Sequence, residues 1–368
     1  MSTKLAHRRE IQGLRALAVL SVITNHLFPE ALPGGFVGVD IFFLLSGFLI
    51  TQQLVELSNT LTRRSVLIHF YARRIRRIVP SSLLVIWVTV WLAFKYLGPV
   101  VGSESLRDGR FATLFFANSH FNQLKVSYFG EGGSAPLLQH YWSLAVEEQF
   151  YIFWPVLLLL IAAFSKHRLR RALAVSLTLI TIASFATAYL FEESQTYFAT
   201  QTRVWELSAG ALLAICQLPR LRVSAASIAL PILLLSFLLI NNLARVPGII
   251  LIPPLVATAI LLQVNSRISS AILGHWTLHY LGDISFVLYL WHWPIIELHR
   301  QLSNQTLSLE SSLVLLLLTF ICAVATHHLI ENPLRFSKYL AGHLKTTICL
   351  GLFAISASVL ATYLLMKG

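Results

Sequence analysis

Arg15 and His26 lie eleven positions apart inside one apolar run, Ile11 to Phe28. A cation and an imidazole in a stretch fit for hydrocarbon are costly, and such residues mark function by default. Eleven residues make about three helical turns, so both side chains fall within roughly 20° of one face, about 16 Å apart. A neutral imidazole takes a proton from a hydroxyl near pH 7. One helix face therefore offers a base and a fixed positive charge. The plainer readings are a snorkelling arginine and a histidine bonded near the headgroups.

A second group is Tyr71-Ala-Arg-Arg-Ile-Arg-Arg-Ile-Val-Pro80. Helical spacing gathers Arg73, Arg76 and Arg77 on one side, with Arg74 at its edge. Guanidinium forks match phosphate geometry, so the cluster suits a polyanionic cosubstrate such as coenzyme A. A membrane stop signal or an anionic-lipid anchor is the alternative.

Acids and hydroxyls complete the set. Asp40 begins a second apolar run, Phe36 to Phe48, after a short Pro-Gly-Gly loop. That loop can bring Asp40 to His26, where a carboxylate would orient the ring. Glu147 and Glu148 interrupt His140-Tyr-Trp-Ser-Leu-Ala-Val-Glu-Glu-Gln. Adjacent acids at such a depth need a polar cavity or a cation, with Arg15 an available partner. Glu147 and His140 lie on nearly one face. Ser143, Glu148, Tyr289 and His292 are candidates for binding substrate. The tryptophans of Tyr289-Leu-Trp-His-Trp-Pro294 fit an outer aromatic belt. Glu331-Asn-Pro-Leu-Arg335 reads as mainly structural. Cys216, Cys322 and Cys349 have no metal spacing and read as small hydrophobes; no metal is expected.

These residues need long apolar elements to hold them. The chain has 368 residues, 56% of them hydrophobic and only 12% charged, with a mean hydropathy of +0.71. A soluble domain carries about a quarter charged residues. Apolar stretches near twenty residues recur, and alternating strands of a membrane barrel do not. The fold class expected is all-α: a polytopic integral membrane bundle, read as one domain over 1–368. Eleven spans are predicted, at 11–30, 36–56, 78–97, 139–164, 170–190, 202–217, 224–243, 249–264, 282–298, 310–330 and 346–366. Segment 110–128 is expected to be interfacial or re-entrant. The basic start, Lys4 to Arg9, resembles a signal peptide, but Arg15 breaks the apolar region and more spans follow, so it reads as a retained first helix.

Lys and Arg outnumber the acids, 28 against 16. In a membrane chain this excess speaks to orientation rather than to nucleic acid. With the N-terminus inside, 19 cations fall in inner loops and 8, Arg203 among them, outside; Arg15 is the remaining one. The expectation is N-in and C-out.

In this order, the motifs resemble the acyltransferase-3 family of membrane acyltransferases. They are Gly13-Leu-Arg-Ala-Leu-Ala-Val with Arg15 and His26, Gly38-Val-Asp-Ile-Phe-Phe-Leu-Leu-Ser-Gly-Phe48, Arg74 and Arg77 ahead of Pro80, Trp142 to Tyr151, Tyr289 to Pro294, and Glu331 to Arg335. The resemblance implies transfer of an acyl group, usually acetyl from acetyl-CoA, to a carbohydrate hydroxyl at or beyond a bacterial cytoplasmic (inner) membrane. Acceptors of this kind include lipopolysaccharide O-antigen, peptidoglycan, capsule and exopolysaccharide, often lipid-linked. It assigns His26 as catalytic base, Arg15 as its motif partner, and Arg74 with Arg77 as the second arginine motif. Gln12 departs from the acid that many members carry before Gly-Leu-Arg. The motif run is similar to a branch whose members often continue into an extracytoplasmic SGNH-type domain; the chain stops where that domain would start. The expected mechanism docks acetyl-CoA on Arg73, Arg74, Arg76 and Arg77, while Arg15, Asp40 and Glu147 set the charge of His26. The rival reading is a proton-coupled transporter or flippase, with the buried acids and imidazole as a relay.

Overall fold

A helix with apolar residues on every side has to be buried on every side. In the computed structural model, the first helix, α1 (Arg9–Leu27), is buried at Ile11, Leu14, Ala16, Ala18, Val19, Val22 and Ile23. The structure describes residues 9–128, 135–165, 168–191, 196–216, 223–241, 243, 245–264, 267–303 and 307–367. The loop cations Lys4, Arg8, Lys166, Arg220 and Arg222 lie outside them. Among the described residues the chain is helical, without a strand.

Among the described residues, six helices are long and apolar enough to cross a membrane: Gly35–Thr60, Arg63–Tyr96, Tyr141–Phe164, Leu169–Leu190, Leu309–Gly342 and Leu344–Leu365. Their outer residues, among them Phe153, Leu179, Leu317 and Phe353, are exposed apolar side chains suited to lipid. The other five predicted spans are shorter or more polar. The sixth, expected at 202–217, is a helix of 16 residues, Thr200–Ile215. At 1.5 Å per residue it falls short of a hydrocarbon core of about 30 Å. Ala225–Leu239 and Ile249–Gln263 are shorter apolar helices. Segment 110–128 forms no span: a long helix ends at Thr113 and a short one covers Ala117–Gln123.

Within the chain two compact units can be described. The first comprises Met1–Thr60 and Gln149–Ser285. In it α1 packs against α2 (Gly38–Thr60) and the short helices Arg267–Leu273 and Trp276–Asp283, while α2 packs on Thr200–Ile215. Glycine allows that approach: a Cβ at Gly47 would run into the Leu207 carbonyl, and one at Gly210 into the Leu44 carbonyl.

The second unit comprises Leu61–Glu148 and Phe286–Gly368. Its spine is α3 (Arg63–Thr113), capped by the Thr62 hydroxyl and kinked at Gly98, where φ is 86°. A kink in the left-handed region needs a residue without a Cβ. The last helix, Leu344–Leu365, lies along α3, with Gly351 against Ile75 and Trp87 Nε1 donating to Ser358 Oγ at 3.0 Å. Before it, the helix Leu309–Thr326 runs into a π-helical turn, His327–Glu331. Pro333 follows and lacks the N–H that the next α-helical bond requires.

Candidate functional site

In the first unit α1 is unbroken from Arg9 to Leu27, so Arg15 and His26 keep the three-turn spacing of their face. Arg15 is buried, and its Nη1 donates to Gln12 Oε1 at 3.1 Å. The amide at position 12 thus still partners the guanidinium. His26 is half-buried in the last turn. The loop that follows is tied back to the same helix. Asn25 Nδ2 donates to the Leu32 and Pro33 carbonyls at 3.0 Å each, and Ser21 Oγ donates to the Gly35 carbonyl at 3.0 Å.

Asp40 is placed differently from the expectation. Its carboxylate accepts from Arg203 Nη1 at 2.7 Å and bonds to Glu206, so it is held by a guanidinium instead of orienting His26. Arg203 also reaches Glu206 Oε1 at 3.2 Å and the Tyr197 carbonyl at 3.0 Å, with its guanidinium over the Tyr197 ring. All three charged side chains are about fully buried: Arg203 and Asp40 are 1% exposed and Glu206 0%. Arg203 is therefore a core residue and carries no weight in the loop-charge count. Its signal was legible, an Arg and a Glu three apart within an apolar run, which favours an ion pair over a loop cation.

The second unit holds the arginine run, Arg73 to Arg77, which starts nearly three turns inside α3. Arg74 and Arg77 act electrostatically on the buried Glu148, and Arg77 also on Glu331. Arg76 is buried and turns its Nε back to the Ala72 carbonyl at 3.3 Å, while Arg73 is exposed. The expected grouping of Arg73, Arg76 and Arg77 is thus replaced by the pair Arg74 and Arg77. Acid neighbours, which a helical wheel omits, select that pair. Glu148 has Arg74 and Arg77 as its cationic neighbours in this unit.

Glu331 does more than end a helix. His327 Nδ1 donates to Glu331 Oε2 at 2.8 Å, Asn332 Nδ2 donates to His327 Nε2 at 2.9 Å, and Arg335 Nη1 reaches Glu331 Oε1 at 3.4 Å. The amide donor on Nε2 assigns the Nδ1–H tautomer. His327 went unsingled in the sequence, although a His and a Glu four apart in a span carry the same signal as Arg203 and Glu206. A π-turn often accompanies function. His120 Nε2 with Asp108 Oδ1, at 2.8 Å, is a further buried pair, its ring stacked on Phe111.

The binding candidates meet in this same unit. Ser143 Oγ and Tyr289 Oη are 2.7 Å apart, so one hydroxyl donates to the other, and both lie 3.2 Å from the His140 carbonyl, which accepts the remaining proton. Glu147 is within electrostatic reach of Tyr289, and the His292 Nδ1–H donates to the Tyr289 carbonyl. Tyr141 Oη, on the first turn of the helix Tyr141–Phe164, donates to the Ser82 carbonyl of α3 at 2.9 Å. Trp291 and Trp293 are not belt residues. Both are buried, donating to Thr326 Oγ1 and the Pro136 carbonyl at 2.9 Å.

An acyltransferase domain family, acyltransferase-3, matches residues 8–365. The chain belongs to the acyltransferase-3 family. It is 36% identical to YrhL of Bacillus subtilis, over 91% of this chain and 56% of that protein. It is 32% identical to the peptidoglycan O-acetyltransferase OatA of Listeria monocytogenes, over 90% of this chain and 57% of that protein. The O-acetyltransferase OatA of Staphylococcus aureus is also 32% identical, over 88% and 57%. The chain thus spans a little over half the length of these relatives. No solved structure matches.

Proposed function

We propose that this chain is a membrane O-acetyltransferase moving acetyl from cytoplasmic acetyl-CoA to a hydroxyl of a cell-envelope carbohydrate. Peptidoglycan, the substrate in one relative's name, is the acceptor favoured, ahead of O-antigen or exopolysaccharide. The observation that carries the reading is α1 itself, which sets Arg15 and His26 on one face of an unbroken, buried helix. In this reading the donor phosphates dock on Arg74 and Arg77, with Arg73 and Arg76 beside them. His26 removes the proton of the acceptor hydroxyl as its oxygen attacks the thioester carbonyl. Collapse of the tetrahedral adduct breaks the C–S bond, and the imidazolium returns the proton to the departing thiolate. An acetyl-imidazole at His26 would split the same transfer into two steps.

The test is His26→Ala in the full chain. The expected result is loss of acetyl transfer to the glycan, with thermal stability and protection by acetyl-CoA both retained. Full activity in a well-folded variant rejects the base. Absence of protection by acetyl-CoA in the unaltered chain, with substrate-driven uptake into vesicles, would favour transport.

A further inference from the structure

The ring of His140 is only 3% exposed; one of its nitrogens faces the Leu290 backbone, and the other has no hydrogen-bond partner among the described residues. Neighbouring Gln139, 1% exposed, likewise has no partner for Oε1, though its Nε2 donates to the Ser127 carbonyl at 3.4 Å. Buried polar atoms are nearly always bonded, so each such atom needs an account. Packing alone is a poor one. His140 lies edge-on to Tyr141, Tyr289 and His292, at ring distances of 4.7, 5.8 and 5.8 Å. A phenyl ring would make those contacts without a stranded nitrogen.

The surroundings define what would bind. Ser143 Oγ, Tyr289 Oη and the His140 carbonyl form a triangle in which two hydroxyl protons serve three oxygens. Both protons are used within it, so the triangle offers lone pairs. Gln139 Oε1 adds an acceptor, and the Glu147 carboxylate lies within electrostatic reach of Tyr289. A neutral His140 ring has one donor, which faces the Leu290 backbone, and one acceptor, which is left to a ligand. A surface rich in acceptors repels phosphate and carboxylate. It suits a group that donates several O–H bonds, which is the pattern of a sugar's hydroxyls. Aromatic faces beside a few placed polar groups fit that class as well.

We propose that Gln139, His140 and Ser143, backed by Tyr289, form a subsite for the hydroxyls of a neutral sugar, the acceptor side of the transfer. This rests on the carbohydrate reading above. The probe is a chitotetraose, a neutral N-acetylglucosamine tetrasaccharide, with acetyl-CoA as donor and the purified full chain. His140→Phe keeps the ring contacts and removes the nitrogens. Its expected effect is a rise of tenfold or more in KM for the tetrasaccharide, with KM for acetyl-CoA within twofold of the original. His140→Gln, which restores a donor and an acceptor, is expected to recover most of the loss. A rise in KM for acetyl-CoA instead would assign the cluster to the donor's amide-bearing arm and overturn the proposal. No change in either KM would also overturn it. Ser143→Ala, with the serine's small volume nearly kept, repeats the test if His140→Phe fails to fold. Thermal protection by chitotetraose without donor separates this proposal from the catalytic one: His26→Ala should keep that protection and His140→Phe should lose it. Lack of protection in the unaltered chain would reject the subsite whatever the result at His26.

Discussion

Arg203 donates a 2.7 Å hydrogen bond to Asp40, from Thr200–Ile215 to the first turn of α2, with both side chains 1% exposed. Glu206, one turn further on, is the third member of the group. Two acids and one guanidinium in an apolar core depend on each other, since any one left alone would be an uncompensated buried charge.

Arg203→Met removes the cation and leaves two acids facing each other. A loss of about 3–5 kcal/mol in unfolding free energy is expected, the usual scale for a broken buried pair. Denaturant unfolding in detergent measures it. Replacing all three by apolar residues of similar volume should recover most of the loss, because no charge then remains buried. Asp40→Asn should lower stability without altering the pH profile of activity; a shifted profile would return Asp40 to the catalytic group.

Arg74 and Arg77 share the Glu148 partner, whereas Arg73 is exposed. On the proposed function, Arg74→Ala or Arg77→Ala raises KM for acetyl-CoA by about tenfold or more, the scale of a charged hydrogen bond worth 1.5–3 kcal/mol. Arg73→Ala should change it by less than about threefold, since exposed charges contribute little. Steady-state kinetics with varied acetyl-CoA decides between them, and equal effects would mean that the cluster acts only as diffuse charge.

Glu331 joins His327, Arg335 and the field at Arg77. Glu331→Gln keeps the shape and removes the charge. The expected outcome is a higher KM for acetyl-CoA with a smaller change in kcat, because Arg77 loses one of the acids that hold it. His327→Asn should follow in direction with a weaker effect. A purely structural role would lower the melting temperature and leave the KM of the folded fraction unchanged.

Gln12 accepts from Arg15 at 3.1 Å. Gln12→Glu preserves that acceptor, so acetyl transfer should stay within about threefold, the range of a modest change in one hydrogen bond. Gln12→Leu removes that acceptor from a buried guanidinium and should reduce activity well beyond that. Equal activity in both variants would show that Arg15 needs no partner at position 12.

Gly47 sets how closely α2 meets Thr200–Ile215. A Cβ there meets the Leu207 carbonyl, backbone that cannot swing aside. Gly47→Ala should cost about 1–3 kcal/mol, as overpacking does. Unfolding measurements on the single variant check this against Gly342→Ala, where a Cβ meets nothing within 4 Å.

How much was legible can be seen at particular residues. Composition and apolar runs were enough for an all-helical membrane chain, because hydrocarbon leaves the backbone no other partner than its own helix. The spacing of Arg15 and His26 needed only one unbroken helix, which α1 is. The six long apolar helices were readable for the same local reason. Arg203, by contrast, could be paired from the sequence only with Glu206, one turn away; its other acid, Asp40, lies 163 positions off.

The sequence by itself determined the material, the helical class and the periodic placement of chemistry on each helix, all of which follow from local hydrogen bonding and hydrophobicity. Only the tertiary structure decided which charges neutralise one another. It gave Asp40 to Arg203, chose Arg74 and Arg77 over Arg73, and joined Ser143 to Tyr289 across 146 positions of sequence. A carboxylate is satisfied by whatever cation packing brings within a few ångströms, and that proximity is written in glycine contacts and helix crossings, not in the residue's own neighbours along the chain.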